Sequence, residues 1–162
     1  MKILITIAFS VILISGKAQI VAPPTQQPQT YTIGKVIDKE KLIVEFYYFL
    51  NQSNMADTKE MKYDTTYAIR YQNAKYPQDV RFTTLEFSGT SKNVDSLYKI
   101  FESAFSDENK NNPNYSVSFK FNDDEAQITT YKNDSVYFCK LTTENSYFYL
   151  TETQVKKLFS IN

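Results

Sequence analysis

Residues 114–150 constrain the fold more tightly than any other part of the chain. Tyr115, Val117, Phe119 and Phe121 alternate with Ser116, Ser118, Lys120 and Asn122. A period of two with one apolar side marks a strand buried on one face. Polar segments at 122–125, 132–135 and 142–145 then divide the stretch into four short strands. Asn133-Asp134 reads as a two-residue hairpin loop, because Asn and Asp tolerate positive φ. That loop sets Ile128 opposite Cys139, Ala126 opposite Leu141 and Thr130 opposite Tyr137. Four-residue turns at 122–125 and 142–145 set Phe121 opposite Ala126, Phe119 opposite Ile128, Cys139 opposite Phe148 and Tyr137 opposite Leu150. One face then collects Val117, Phe119, Phe121, Ala126, Ile128, Tyr137, Cys139, Leu141, Phe148 and Leu150. A slip of one residue in any turn would break that face.

The same register leaves Tyr131, Val136, Phe138, Tyr147 and Tyr149 on the opposite face, with Phe138 across from Tyr149 and Lys140 across from Tyr147. Covered by the N-terminal strands or the terminal helix, these side chains are core. Left bare, they are an aromatic surface for a peptide, a glycan or a partner protein. Phe138 is expected to be core, and Tyr147 and Tyr149 partly exposed. Tyr131, Phe138, Tyr147 and Tyr149 are the candidate binding residues. The last strand is expected to be a sheet edge whose backbone groups could accept a partner strand.

Other segments are read by the same rules. Residues 31–37 suit a strand. Residues 41–50 are dense in β-branched and aromatic side chains, which favours strand over buried helix, although the pattern fits both. Residues 51–64 are polar and read as a loop. Tyr67, Ile69 and Tyr71 alternate with Ala68 and Arg70 as a strand, and 80–88 reads as another. Val94, Leu97, Tyr98, Phe101 and Phe105 form one stripe at helical spacing over 93–105. Asn93 is placed to cap that helix, with Asp95 near the positive end of its dipole. Thr151 with Gln154 makes a capping box for a short C-terminal helix, and Leu150 with Val155 a hydrophobic staple. No internal repeat is visible. The expected fold is α+β: a mainly antiparallel sheet, the meander 115–150 extended by N-terminal strands, with one helix on a face and a short helix at the C-terminus.

Composition removes several functions. The chain has no histidine, which excludes Ser-His-Asp and Cys-His catalysis and His-bearing zinc sites. One cysteine allows no internal disulfide and no thiolate metal cluster. Eighteen basic side chains balance eighteen acidic ones without a basic run, so nucleic acid is not an expected partner. Ser96-Leu97-Tyr98-Lys99 matches the Ser-x-x-Lys motif of penicillin-recognising enzymes, but its companion motifs are absent, so a helix's wet side explains it. Asp123, Asp124 and Glu125 are adjacent on a turn and point different ways, with no glycine and no EF-hand spacing. Cys139 falls on the apolar face and reads as a small buried hydrophobe. No metal and no cofactor are expected.

At the N-terminus, Lys2 precedes an apolar run over 3–14, too short to cross a bilayer comfortably. Gly16-Lys17-Ala18 follows with small residues at −3 and −1. This pattern is similar to a bacterial secretory signal peptide, cleaved after Ala18. Residues 1–18 are therefore expected to be a leader, and 19–30, rich in Pro and Gln, an extended tether. Residues 31–162 are expected to be a single domain, secreted or periplasmic, with no membrane span once the leader is gone. The expected function is a non-catalytic binding or interaction module. Its rivals are a small exported hydrolase using carboxylates and a structural, envelope-associated protein.

Overall fold

The computed structural model describes residues 28–53, 62–78 and 81–161. The expected leader, residues 1–18, and most of the expected tether, residues 19–30, lie outside these residues. Two four-stranded antiparallel sheets and two helices make up the described chain. In the first sheet β1 (Thr30–Asp38), β2 (Lys41–Ser53), β3 (Lys62–Gln72) and β4 (Phe82–Ser88) lie side by side in chain order. Helix α1 (Ser91–Ser103) leads to the second sheet: β5 (Ser116–Phe121), β6 (Asp124–Asn133), β7 (Val136–Thr143) and β8 (Tyr147–Leu150). Helix α2 (Glu152–Leu158) follows. The N-terminal strands therefore do not extend the meander; they form a sheet of their own. The order of elements, four strands then a helix, occurs twice, although the sequence shows no repeat.

Residues 41–50 are strand, as their β-branched and aromatic content favours. Val44 and Phe46 point inward and are fully buried, while Tyr47 and Phe49 half-cover the other side. The expected loop over 51–64 is shorter than its polarity suggested. Asn51, Gln52 and Ser53 pair with Asp64, Tyr63 and Lys62, so β2 and β3 continue as a long ribbon beyond the core. Lys39 and Glu40 join β1 to β2 with both φ angles positive, 46° and 69°. That mirror-image turn suits the twist of the strands but is normally made by Asn and Gly.

In the second sheet all three registers differ from the sequence reading by two positions. Phe119 faces Ala126 and Val117 faces Ile128. Ile128 faces Leu141 and Thr130 faces Cys139. Cys139 faces Leu150, and Lys140 faces Tyr149. The cause lies in the turns: the first is two residues long instead of four, whereas the middle hairpin keeps two residues but sits one position later. Asn122 and Asp134 take positive φ at 50° and 51°. The chain therefore reverses at Asn122-Asp123 and at Asp134-Ser135, and outlying polar residues of each expected turn stay in strand. A shift of two preserves the alternation of faces. Phe121, Ala126, Ile128, Cys139, Leu141, Phe148 and Leu150 are accordingly all buried on one side.

That side meets the inner side of the first sheet. The rings of Tyr71 and Phe148 lie 4.5 Å apart and those of Phe87 and Phe121 5.6 Å apart. The buried Tyr71 hydroxyl bonds the Ser146 hydroxyl, which Thr143 also contacts at 2.7 Å. Among the described residues, no buried side-chain nitrogen or oxygen lacks a partner.

Helix α1 begins two residues before the expected start. Thr90 is the N-cap, and its backbone N–H donates to Asn93 Oδ1 at 2.9 Å. Asn93 thus acts from the third helical position, and Asp95 falls outside the first turn. Helix α2 follows the sequence reading closely. Gln154 N–H donates to Thr151 Oγ1 at 3.3 Å, and Thr151 N–H donates to Gln154 Oε1 at 2.9 Å. Leu150 and Val155 are both buried. Phe159, just beyond α2, packs on Phe46 and Phe101 at ring separations of 5.2 and 5.6 Å, tying α2 to β2 and α1. At Gly34, β1 passes so close to α2 that a Cβ would overlap the carbonyl oxygens of Lys157 and Leu158.

Candidate binding face

The pleat of β6, β7 and β8 sends alternate side chains away from the core. Tyr131, Phe138, Tyr147 and Tyr149 all emerge on this outer side, and their rings form one continuous layer. Tyr131 lies 6.2 Å from Phe138 and 5.2 Å from Tyr149. Phe138 and Tyr149 are 6.4 Å apart, and Tyr149 and Tyr147 5.4 Å. Interplanar angles of 43° to 76° make the rings walls rather than a flat pavement. Tilted pairs of this kind suit aromatic quadrupoles.

All four candidate residues thus come together. Tyr131 is 45% exposed, and Phe138, Tyr147 and Tyr149 are half-buried against one another. Phe138 is not core: its neighbours are Tyr131 and Tyr149, because the first sheet and α2 occupy the opposite side. Val136, beside them, is exposed. Burial first, then the neighbouring Tyr147 and Tyr131, holds the Tyr149 phenol pKa above its usual value.

Two further residues join the layer. Lys140 places its Nζ 4.4 Å from the centre of the Tyr147 ring and 5.8 Å from that of Tyr149. A cation over ring faces is an attractive arrangement. Its alternation with the tyrosines was legible in the sequence. Asn133 was not singled out, since the sequence reading put it in the turn; it ends β6 and lines, with Tyr131, Phe138 and Tyr149, a depression of about 290 Å3.

The edge of β8 is not open along its length. Ala74 N–H donates to the Tyr147 carbonyl at 2.8 Å, and Tyr147 N–H donates to Asn73 Oδ1 at 3.3 Å. Asn73 Nδ2 also donates to the Asn145 carbonyl at 3.2 Å. The segment after β3 therefore occupies the backbone groups of Tyr147 in β8, part of the edge that was expected to be free for a partner strand.

A larger cavity of about 630 Å3 opens where the ends of the two sheets meet, lined by Asn73, Thr83, Asp124, Glu144 and Ser146 among others. It escaped the sequence reading because its walls come from both sheets. Asp123 and Glu125 also reach it, but no group of acids placed to hold a metal occurs among the described residues. The Ser96 hydroxyl donates to the Lys92 carbonyl at 2.9 Å, back along its own helix rather than toward Lys99. Cys139 is fully buried, and burial pushes its thiol up to about 12. No described helix is long and apolar enough to cross a membrane.

Comparison with protein-family models, with curated proteins and with solved structures yields no match to this chain. Function therefore has to be argued from the face itself.

Proposed function

We propose that this protein is an exported, non-catalytic binding module that captures its partner on the outer face of the second sheet. The observation that carries this reading is the layer of Tyr131, Phe138, Tyr147 and Tyr149, whose rings contact one another and Lys140 on the side away from the core. Aromatic side chains placed together at a surface supply much contact area at little cost in conformational entropy. Export is supported by the charged start, apolar run and Gly16-Lys17-Ala18 of the sequence.

The test uses the double variant Tyr131→Ala, Tyr149→Ala. The natural protein, immobilised, is expected to retain envelope or culture-medium material that the folded variant fails to retain. Equal retention by both would move the binding function elsewhere. Mass spectrometry of the exported protein is expected to find Gln19 as its first residue; a mature protein still carrying Met1 would contradict cleavage.

A further inference from the structure

We infer that the ligand of this face is an anionic saccharide, a short run of pyranose rings bearing carboxylates; the inference rests on reading the face as a binding surface. Three observations on the same face lead there. First, the depression of about 290 Å3 beside Tyr131, Phe138 and Tyr149 has the size of a small-ligand site rather than of a protein groove. Its walls are tilted rings, and a pyranose offers apolar C–H faces to rings while its rim of hydroxyls needs polar partners. Second, those partners are present. Asn133 brings an amide with both donors and an acceptor, and Tyr131 and Tyr149 bring phenol hydroxyls. Third, the face carries a cation without a carboxylate. Lys140 sits over Tyr147 and Tyr149 and makes no ion pair among the described residues, whereas Lys120, on the same outer face, is paired with Glu125 at 3.4 Å. A carboxylate on the ligand would complement Lys140.

The charge distribution gives the ligand a direction. Asp134 lies in the turn just beyond Asn133 and is exposed. Lys132, on the other side of Asn133, is exposed too and turns its Nζ over Tyr137, so that end carries both signs, and the ligand carboxylate belongs at the Lys140 end, where the cation has no acid partner among the described residues. Capture of an extended peptide by strand addition is disfavoured, because Ala74 and Asn73 already hold the backbone of Tyr147.

The experiment titrates the whole protein with three probes: oligogalacturonate, the same oligomer with its carboxylates methyl-esterified, and a poly-glutamate peptide. The acidic oligomer is expected to bind, to weaken with added salt, and to lose about tenfold or more in affinity with Tyr149→Ala, as a central aromatic contact does. Lys140→Gln is expected to weaken the acidic oligomer about fivefold and to leave the esterified one unchanged. Equal binding of the esterified oligomer would overturn the anionic assignment. Poly-glutamate binding as tightly as the sugar would overturn the saccharide and keep the binding face. Failure of all three probes, with envelope retention still lost in the Tyr131→Ala, Tyr149→Ala variant, would overturn this inference alone. Saccharide binding untouched by Tyr149→Ala would place the sugar elsewhere and overturn it too.

Discussion

At the scale of single residues, burial and backbone conformation make the clearest claims. Cys139 has no exposed surface, and a thiol held up to about 12 carries almost no thiolate at neutral pH. A thiol reagent is expected to label it only once denaturant is added; labelling of the native protein within seconds would contradict its place opposite Leu150 and Thr130. Lys39 and Glu40 both occupy the left-handed region without the freedom of glycine. Replacing them by Asn and Gly is expected to raise the unfolding free energy by about 1 kcal/mol, read from denaturant midpoints. A loss of stability would mean that the turn is held by its own side chains. The sequence located a break between the strands at 38–40 but not the kind of turn, because neither residue type favours the conformation it takes. Asn122 and Asp134 did carry the signal, but polar neighbours on either side hid which pair of residues made each reversal.

At the scale of elements, close approach and capping decide. β1 reaches α2 only because Gly34 has no side chain, and Ser160 also bonds the Ile33 carbonyl there. Gly34→Ala would force backbone against backbone, and a cost of about 2–3 kcal/mol is expected, the upper part of the range for overpacked sites. An unchanged midpoint would show that α2 yields freely. How much could be read beforehand follows the range of each signal. The C-terminal helix was legible because Thr151, Gln154, Leu150 and Val155 lie within six positions of one another. The two faces of the second sheet were legible because parity survives a register error of two. The separation into two sheets was not, since nothing local distinguishes β4 joining β5 from β4 ending a sheet. Likewise, polarity alone made Asn51–Ser53 look like loop, when pairing with residues 62–64 keeps them in strand. The outer aromatic face was legible as a set of residues; the Asn133 amide beside it depended on the true turn, and the cavity between the sheet ends on their packing.

At the scale of the molecule, two sheets close on one core that includes Tyr67 and Tyr71, and further tyrosines are part-covered around it. Tyr47, Tyr67, Tyr71, Tyr98 and Tyr149 all have pKa values raised above 10.0, with burial the first cause in each. Below pH 10 both folded and unfolded chains keep these protons. Above it the unfolded chain releases protons that the native state retains, so stability falls as pH rises. With no histidine to titrate, the melting temperature is expected to be nearly flat from about pH 6 to 9 and to drop beyond about 10. A step near pH 6.5 would contradict this. The central claim is that the second sheet divides its labour, one face holding the fold and the other free for a ligand. Phe148 and Tyr149 are neighbours on β8 and point to opposite faces. Unfolding free energies of Phe148→Ala and Tyr149→Ala test the claim most directly. Phe148→Ala is expected to cost about 3–5 kcal/mol, as large-to-small changes in a core do. Tyr149→Ala is expected to cost about 1 kcal/mol, the worth of a cross-strand aromatic contact. Equal, large losses for both would make the outer face part of the core and contradict the account.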